Sequence, residues 1–139
     1  VANLKIGELA IRSGCQAETI RYYEQRGLLD APTRSAGNYR LYGSAHVERL
    51  TFIRRCRGLD MSLDEVQSLL ALQDDPEQPC CGVNELLDEH IAEIQRKMSE
   101  LQTLQTELVR LRSRCQNTVL VKECEILKDL AMPSPACGG

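Results

Sequence analysis

From Val83 to Cys115 the sequence repeats an apolar position at steps alternating four and three: Val83, Leu87, His90, Ile94, Lys97, Leu101, Leu104, Leu108, Leu111 and Cys115. That spacing is the seam of a coiled coil, and it predicts one long helix over 83–115. A lone helix of this kind leaves its leucines in water, so a second copy of the chain is expected to cover them. His90 and Lys97 interrupt the seam with polar groups, and His90 reads as a residue that fixes register. The seam itself does not distinguish parallel from antiparallel pairing. With 139 residues in all, what remains is room for one small head, and a multidomain enzyme is excluded.

The head reads as short helices around a turn and a hairpin. LKIGELAIRSG places Ile6, Leu9 and Ala10 on one helical face and stops at Gly14; AETIRYYEQRGLL supplies a second short helix ending at Gly27. Two helices joined by so few residues are the minimum of a helix-turn-helix. Pro32, Gly37 and Asn38 then punctuate short extended pieces that make a small wing. Ser44 is the expected N-cap of SAHVERLTFIRRCRG, and Ser62, with Glu65 three residues on, that of SLDEVQSLLALQ. DDPEQPCCG marks the break before the long helix. The expected organisation is a mainly α chain: a winged helix-turn-helix head at 1–75, a connector carrying Cys80 and Cys81 at 76–82, the dimerisation helix at 83–115, a C-terminal loop and short helix at 116–131, and a flexible tail at 132–139.

Net charge is −3, yet it is split by position. Residues 1–60 carry ten basic and six acidic side chains, net +4, and residues 61–139 carry seven and fourteen, net −7. The head therefore suits a polyanion and the rest does not. On the second helix Thr19, Arg21 and Tyr22 can enter a major groove, where arginine donates to guanine and hydroxyls hold phosphates. Arg34, Asn38, Tyr39 and Arg40 on the wing are placed to grip backbone or minor groove, with Lys5 as a further anchor. No apolar run approaches the roughly 18 to 20 residues that cross a bilayer, and the first segment lacks a signal-peptide pattern, so a soluble cytoplasmic protein without membrane contact is expected.

Seven cysteines stand at 15, 56, 80, 81, 115, 124 and 137. An odd number of thiols in a reducing compartment argues against a closed set of disulfides and leaves them available to soft metals or redox chemistry. The absence of a short CxxC pair sets aside a zinc finger or thioredoxin site. Cys15 and Cys56 read as small core fillers, Cys137 as a spectator, and His46 as a packing residue.

IGELAIRSGCQAETIRYYEQRGLL, followed by TRSAGNYRLYGSAHVERLTFIRRCRGLDMSLDEVQSLL, resembles the winged-helix head of the MerR family of transcription regulators, and the likeness continues to about residue 130. It is most similar to the lead and cadmium sensors, PbrR-like lead regulators in particular. The resemblance implies a homodimer joined by an antiparallel coiled coil and seated on a promoter whose spacer is too long for RNA polymerase. Arg21, Tyr22, Arg34, Tyr39 and Arg40 fall on motif positions that the family uses for DNA contact. Cys80, Cys115 and Cys124 fall on its sensor positions, with Cys80 of one subunit meeting Cys115 and Cys124 of its mate. Cys81 is an extra neighbouring thiol and an alternative first ligand.

Three thiolates suit a thiophilic divalent ion. Zinc wants a fourth ligand, and QNTVLVKE holds no histidine to supply the one that zinc-sensing relatives place there, so three-coordinate lead or mercury fits better; Pb(II) is the expected effector, with Cd(II), Hg(II) and Zn(II) as alternatives. The expected function is metal-dependent activation of transcription by DNA distortion. A thiol redox regulator of the same architecture and a metal-scavenging protein are the competing readings. No arrangement of Ser or Cys with His and Asp suggests an enzyme.

Overall fold

The computed structural model describes residues 3–116 and 120–133. Its elements are α1 (Ile6–Ser13), α2 (Ala17–Gln25), β1 (Thr33–Arg34), β2 (Arg40–Leu41), α3 (Ser44–Gly58), α4 (Leu63–Gln73), α5 (Cys81–Ser113), a 3₁₀ turn (Val121–Glu123) and α6 (Glu125–Leu130). The chain divides into two units, Val1–Asp88 and Glu89–Gly139.

In the first unit the helices of eight to eleven residues are too short to hold themselves in water, so packing against α3 sustains them. Leu9 of α1, Ile20 of α2, Leu50 and Ile53 of α3 and Val66 of α4 are fully buried, with Tyr23, Leu28 and Leu70 around them. Val83 and Leu86 also pack on this core. The unit therefore extends to Asp88, past the expected head boundary at 75 and through the connector. The long helix starts at Cys81, two residues before the first seam position, because the Cys80 carbonyl already accepts from the Val83 and Asn84 amides, both at 3.1 Å.

Gly14 ends α1 at φ 72°, a conformation that favours glycine, and a β-carbon there would run into the Arg54 guanidinium. Ser62 caps α4 as expected: its Oγ accepts from the Glu65 amide at 3.1 Å while the Glu65 carboxylate accepts from the Ser62 amide at 3.0 Å. The expected cap of α3 is corrected. Gly43 occupies the cap and Ser44 is already helical, because the His46 ring takes over the capping role. His46 Nδ1 accepts the Gly43 amide at 3.0 Å, which leaves Nε2 to donate to the Asp30 carbonyl at 3.1 Å.

β1 and β2 pair antiparallel, with Thr33 opposite Leu41 and Arg34 opposite Arg40. Leu4 and Tyr42 exchange two backbone hydrogen bonds of 2.8 and 2.7 Å, which tie the segment before α1 to the base of the wing. Tyr42 is 1% exposed, and its hydroxyl donates to the Glu24 carboxylate on α2. The same carboxylate pairs with Arg40 at 3.5 Å. Arg49 of α3 clamps the end of α4 through a two-pronged pair with Asp74, at 2.7 and 3.0 Å, and donates to the Leu28 carbonyl at 3.1 Å.

In the second unit α5 runs on to Ser113, followed after Cys115 by the 3₁₀ turn and α6. Leu101, Leu104 and Leu108 are 65%, 59% and 65% exposed, so the seam lies open in the single chain. His90 and Leu111 are buried. Among the described residues no helix is long and apolar enough to cross a membrane. Cys137 and most of the expected tail lie outside the described residues.

Burial, followed by the hydrogen bond to Glu24, pushes the Tyr42 phenol up to about 12. A phenol whose pKa is raised on folding stabilises the fold fully below its unfolded value near 10, and that contribution is lost as pH rises through 10 to 12. Tyr42→Phe is expected to cost roughly 1 to 3 kcal/mol at neutral pH. It should also flatten the alkaline loss of stability, measured by denaturant unfolding at pH 7 to 11. An unchanged alkaline slope would contradict the assignment.

Candidate nucleic-acid interface and candidate metal centre

The core turns α2 so that Ile20 and Tyr23 point inward, which leaves Arg21 and Tyr22 exposed and Thr19 half-buried. Thr19 lines a cleft of about 250 Å³ with Glu18, Tyr22, Tyr23, Arg57 and Leu63, at the outer edge of α2. Arg26 donates to the Tyr22 hydroxyl at 2.9 Å and lies over its ring at 5.8 Å, which holds the phenol in place.

On the wing, Arg34 is exposed and donates to the Asn38 carbonyl at 3.2 Å. Asn38 has φ 66°, which asparagine tolerates better than most residues, so its position is first of all a demand of the turn. Tyr39 is exposed, and the Lys5 ammonium sits 5.2 Å from its ring centroid. Two residues far apart in sequence thus form one cationic, aromatic ridge. Arg40 differs from its neighbours: it is half-buried and paired to Glu24, so it fastens the wing to α2 as well as presenting charge.

A second basic concavity escaped sequence reasoning. Arg12, Ser13, Thr51, Arg54 and Arg55 line a hollow of about 430 Å³ between α1 and α3, beside the Gly14 turn. Its guanidinium donors suit phosphate oxygens, whereas the Ser13 and Thr51 hydroxyls donate back to the Leu9 and Val47 carbonyls. The signal available in the sequence was the Arg54–Arg55 pair at exposed positions of α3, which counted toward the positive charge of the head without being singled out.

The cysteines fall into three settings. Cys56 is buried, and burial pushes its thiol up, away from ready ionisation; Cys15 packs partly against the core. Both read as fillers, as expected. Cys80 and Cys81 are exposed at the start of α5, and Cys80 borders an apolar hollow of about 250 Å³ lined also by Phe52, Leu69, Leu72 and Val83. Cys115 and Cys124 are half-buried at the far end. Cys115 follows α5 in a turn held by Arg112, which donates to its carbonyl at 2.7 Å. Cys124 is the N-cap of α6, its carbonyl accepting the Lys128 amide at 3.2 Å.

These donors fit a thiophilic ion by type, since sulfur is soft. Among the described residues no three His, Cys, Asp or Glu side chains of one chain are grouped to hold a metal.

Two helices across a tight turn, a two-stranded wing and a basic surface define a winged helix-turn-helix, the class of protein that reads double-stranded DNA. The MerR HTH family regulatory protein pattern matches residues 4–73, and the MerR DNA-binding pattern matches residues 47–111. The HTH-type transcriptional regulator ZntR homolog of Haemophilus influenzae is 47% identical over 111 residues, which cover 80% of this chain and 82% of that one.

Among solved structures, the transcription regulator PbrR691 from Ralstonia metallidurans CH34, in complex with lead(II), is 50% identical with a TM-score of 0.83, covering 92% of this chain and 99% of its own. MerR from Bacillus megaterium MB1, in complex with mercury(II), is 34% identical with a TM-score of 0.72, covering 91% and 98%. The chain belongs to the MerR family of transcription regulators. Its relatives are regulators and not enzymes.

Arg21→Ala is expected to weaken binding to a promoter duplex by roughly 1 to 3 kcal/mol if the guanidinium reads a base, with relaxed specificity at that position. If it grips phosphate, binding falls across all sequences and the salt slope drops by about 1. Fluorescence anisotropy over a range of salt concentrations separates the two. Binding that is unchanged in both affinity and slope would remove Arg21 from the interface.

Proposed function

We propose that the protein is a metal-responsive transcription regulator that binds its promoter as a homodimer and activates it when a soft divalent ion, Pb(II) foremost, occupies thiolates from Cys80, Cys115 and Cys124. The observation that carries this reading is the setting of the two distal thiols. Cys115 and Cys124 are half-buried and bracket the turn between α5 and α6, with no histidine in the sequence between them. A three-sulfur set without a fourth donor suits lead or mercury better than tetrahedral zinc. The likeness to a regulator bound to lead(II) at 50% identity supports lead; the likeness to one bound to mercury(II), at 34%, keeps that ion as the second reading.

The homodimer follows from the open leucines of α5, which a second α5 would cover. Antiparallel pairing brings the start of one helix to the end of the other, so that Cys80 of one copy joins Cys115 and Cys124 of its mate. Bound there, the ion supplies one positive centre that ties the thiolates of two chains together. The chain's own residues do the rest. Arg21, Tyr22 and the Lys5–Tyr39 ridge keep hold of DNA in both states, while the α5 seam transmits a shift of the C-terminal loop to the heads. Bending or untwisting an overlong promoter spacer costs a few kcal/mol, a size that a difference in metal affinity between two protein states can supply. The promoter elements then align for RNA polymerase. Because thiols lose protons on binding metal, affinity should rise with pH.

Cys115→Ser and Cys124→Ser are each expected to abolish induction while leaving promoter binding within about twofold, as surface changes away from the head should. Heterodimers that combine a Cys80→Ser chain with a Cys124→Ser chain should regain one intact site per dimer, seen as half the thiolate-to-metal absorption of the wild type. Loss of folding in either serine variant, or no regained site in the mixture, would contradict the shared centre.

A further inference from the structure

Six residues are too few for a helix to persist in water, so something outside α6 must hold it. The structure supplies a charged clasp. The Asp129 carboxylate on α6 accepts from two guanidinium groups, that of Arg114, just past the end of α5, at 2.9 Å and that of Arg110, in its last turn, at 3.4 Å. Arg114 also faces Glu125 at 3.8 Å. Arg110 is itself braced by Glu107, at 2.6 and 3.2 Å. Asp129 is only 24% exposed, more sheltered than most surface carboxylates that form ion pairs.

The clasp grips the chain on both sides of the two thiols. Arg114 immediately precedes Cys115, and Glu125 immediately follows Cys124. The ion pairs therefore join the residues that flank Cys115 and Cys124 in sequence. A pair of thiols at the ends of an open loop must lose that freedom when it binds an ion, whereas a loop already closed loses less.

From this placement, and resting on the metal reading above, we infer that Asp129 is a positioning residue whose pairs with Arg110 and Arg114 hold Cys115 and Cys124 ready for a soft ion and so set the affinity of the site. It touches no metal. Its effect on affinity should therefore be screened by salt, while the spectrum of the filled site should not depend on it.

The test uses the full-length reduced protein, titrated anaerobically with Pb(II) and followed by thiolate-to-metal absorption. Amide hydrogen exchange of 125–130 is measured alongside. Asp129→Asn is expected to bind roughly three- to tenfold more weakly, with the band at saturation unchanged in position and intensity. Asp129→Glu, which keeps the charge, should recover most of the affinity. At about 1 M salt, where the screening length falls to about 3 Å, the wild type should approach the asparagine variant. Faster exchange in Asp129→Asn with wild-type affinity would make the clasp merely structural and overturn the inference. A changed band at saturation would overturn it too, by making Asp129 part of the centre. If Cys115→Ser leaves wild-type affinity untouched, the metal reading itself fails and the inference falls with it.

Discussion

Every candidate DNA-contact side chain of the head depends on one apolar core built around α3. Leu50 and Ile53 are fully buried there, and Leu9, Ile20 and Val66 close over them from three other helices. Helices this short form only where such burial stabilises them. Once Ile20 and Tyr23 are committed to the core, the helical period leaves Arg21 and Tyr22 no place but the surface. The wing is fixed to the same frame by polar contacts, since β1 and β2 contribute only two residues each. Tyr42, Glu24 and Arg40 join its base to α2, and Lys5 stacks on Tyr39 at its tip. The base of the wing is thus tied to α2 through one half-buried carboxylate, and its tip to the segment before α1 through a cation over a ring.

The far end of α5 follows a different rule. Its leucines remain open in a single chain, so its stability and its role both point to a second copy. Its last turns carry the positive charges that hold α6, and the two half-buried thiols stand on either side of that contact. On the proposed reading, a basic head and an acidic, thiol-bearing remainder divide the work between reading DNA and responding to a ligand, in line with the split of charge along the chain.

Local rules made most of the head legible. Gly14 ends α1 in the left-handed conformation, Ser62 and Glu65 form the expected capping box, and the Pro32 to Asn38 stretch makes the wing turn. What escaped depends on contacts across the chain. The cap of α3 moved from Ser44 to Gly43 because the His46 ring supplied the acceptor, which a rule about hydroxyl caps does not foresee. The head ran on to Asp88 because Val83 and Leu86 are shared between seam spacing and core packing, and periodicity alone does not choose between them. The Arg12–Arg54–Arg55 hollow and the Asp129 clasp join residues far apart in sequence, so neither leaves a local pattern. Cys115 and Cys124 were singled out as candidate ligands chiefly through the family resemblance, since eight residues separate them and no short motif marks them.

The central claim is that a soft metal, bound by thiols remote from the head, controls transcription. The most direct measurement is an anaerobic competition of lead, cadmium, mercury and zinc for the reduced protein on promoter DNA, following thiolate-to-metal absorption and transcript yield in the same samples. A lead sensor gives tight lead binding that raises transcription, with zinc much weaker and DNA occupied throughout. Metal binding without any change in transcript yield would contradict that claim and leave the thiols with a storage role.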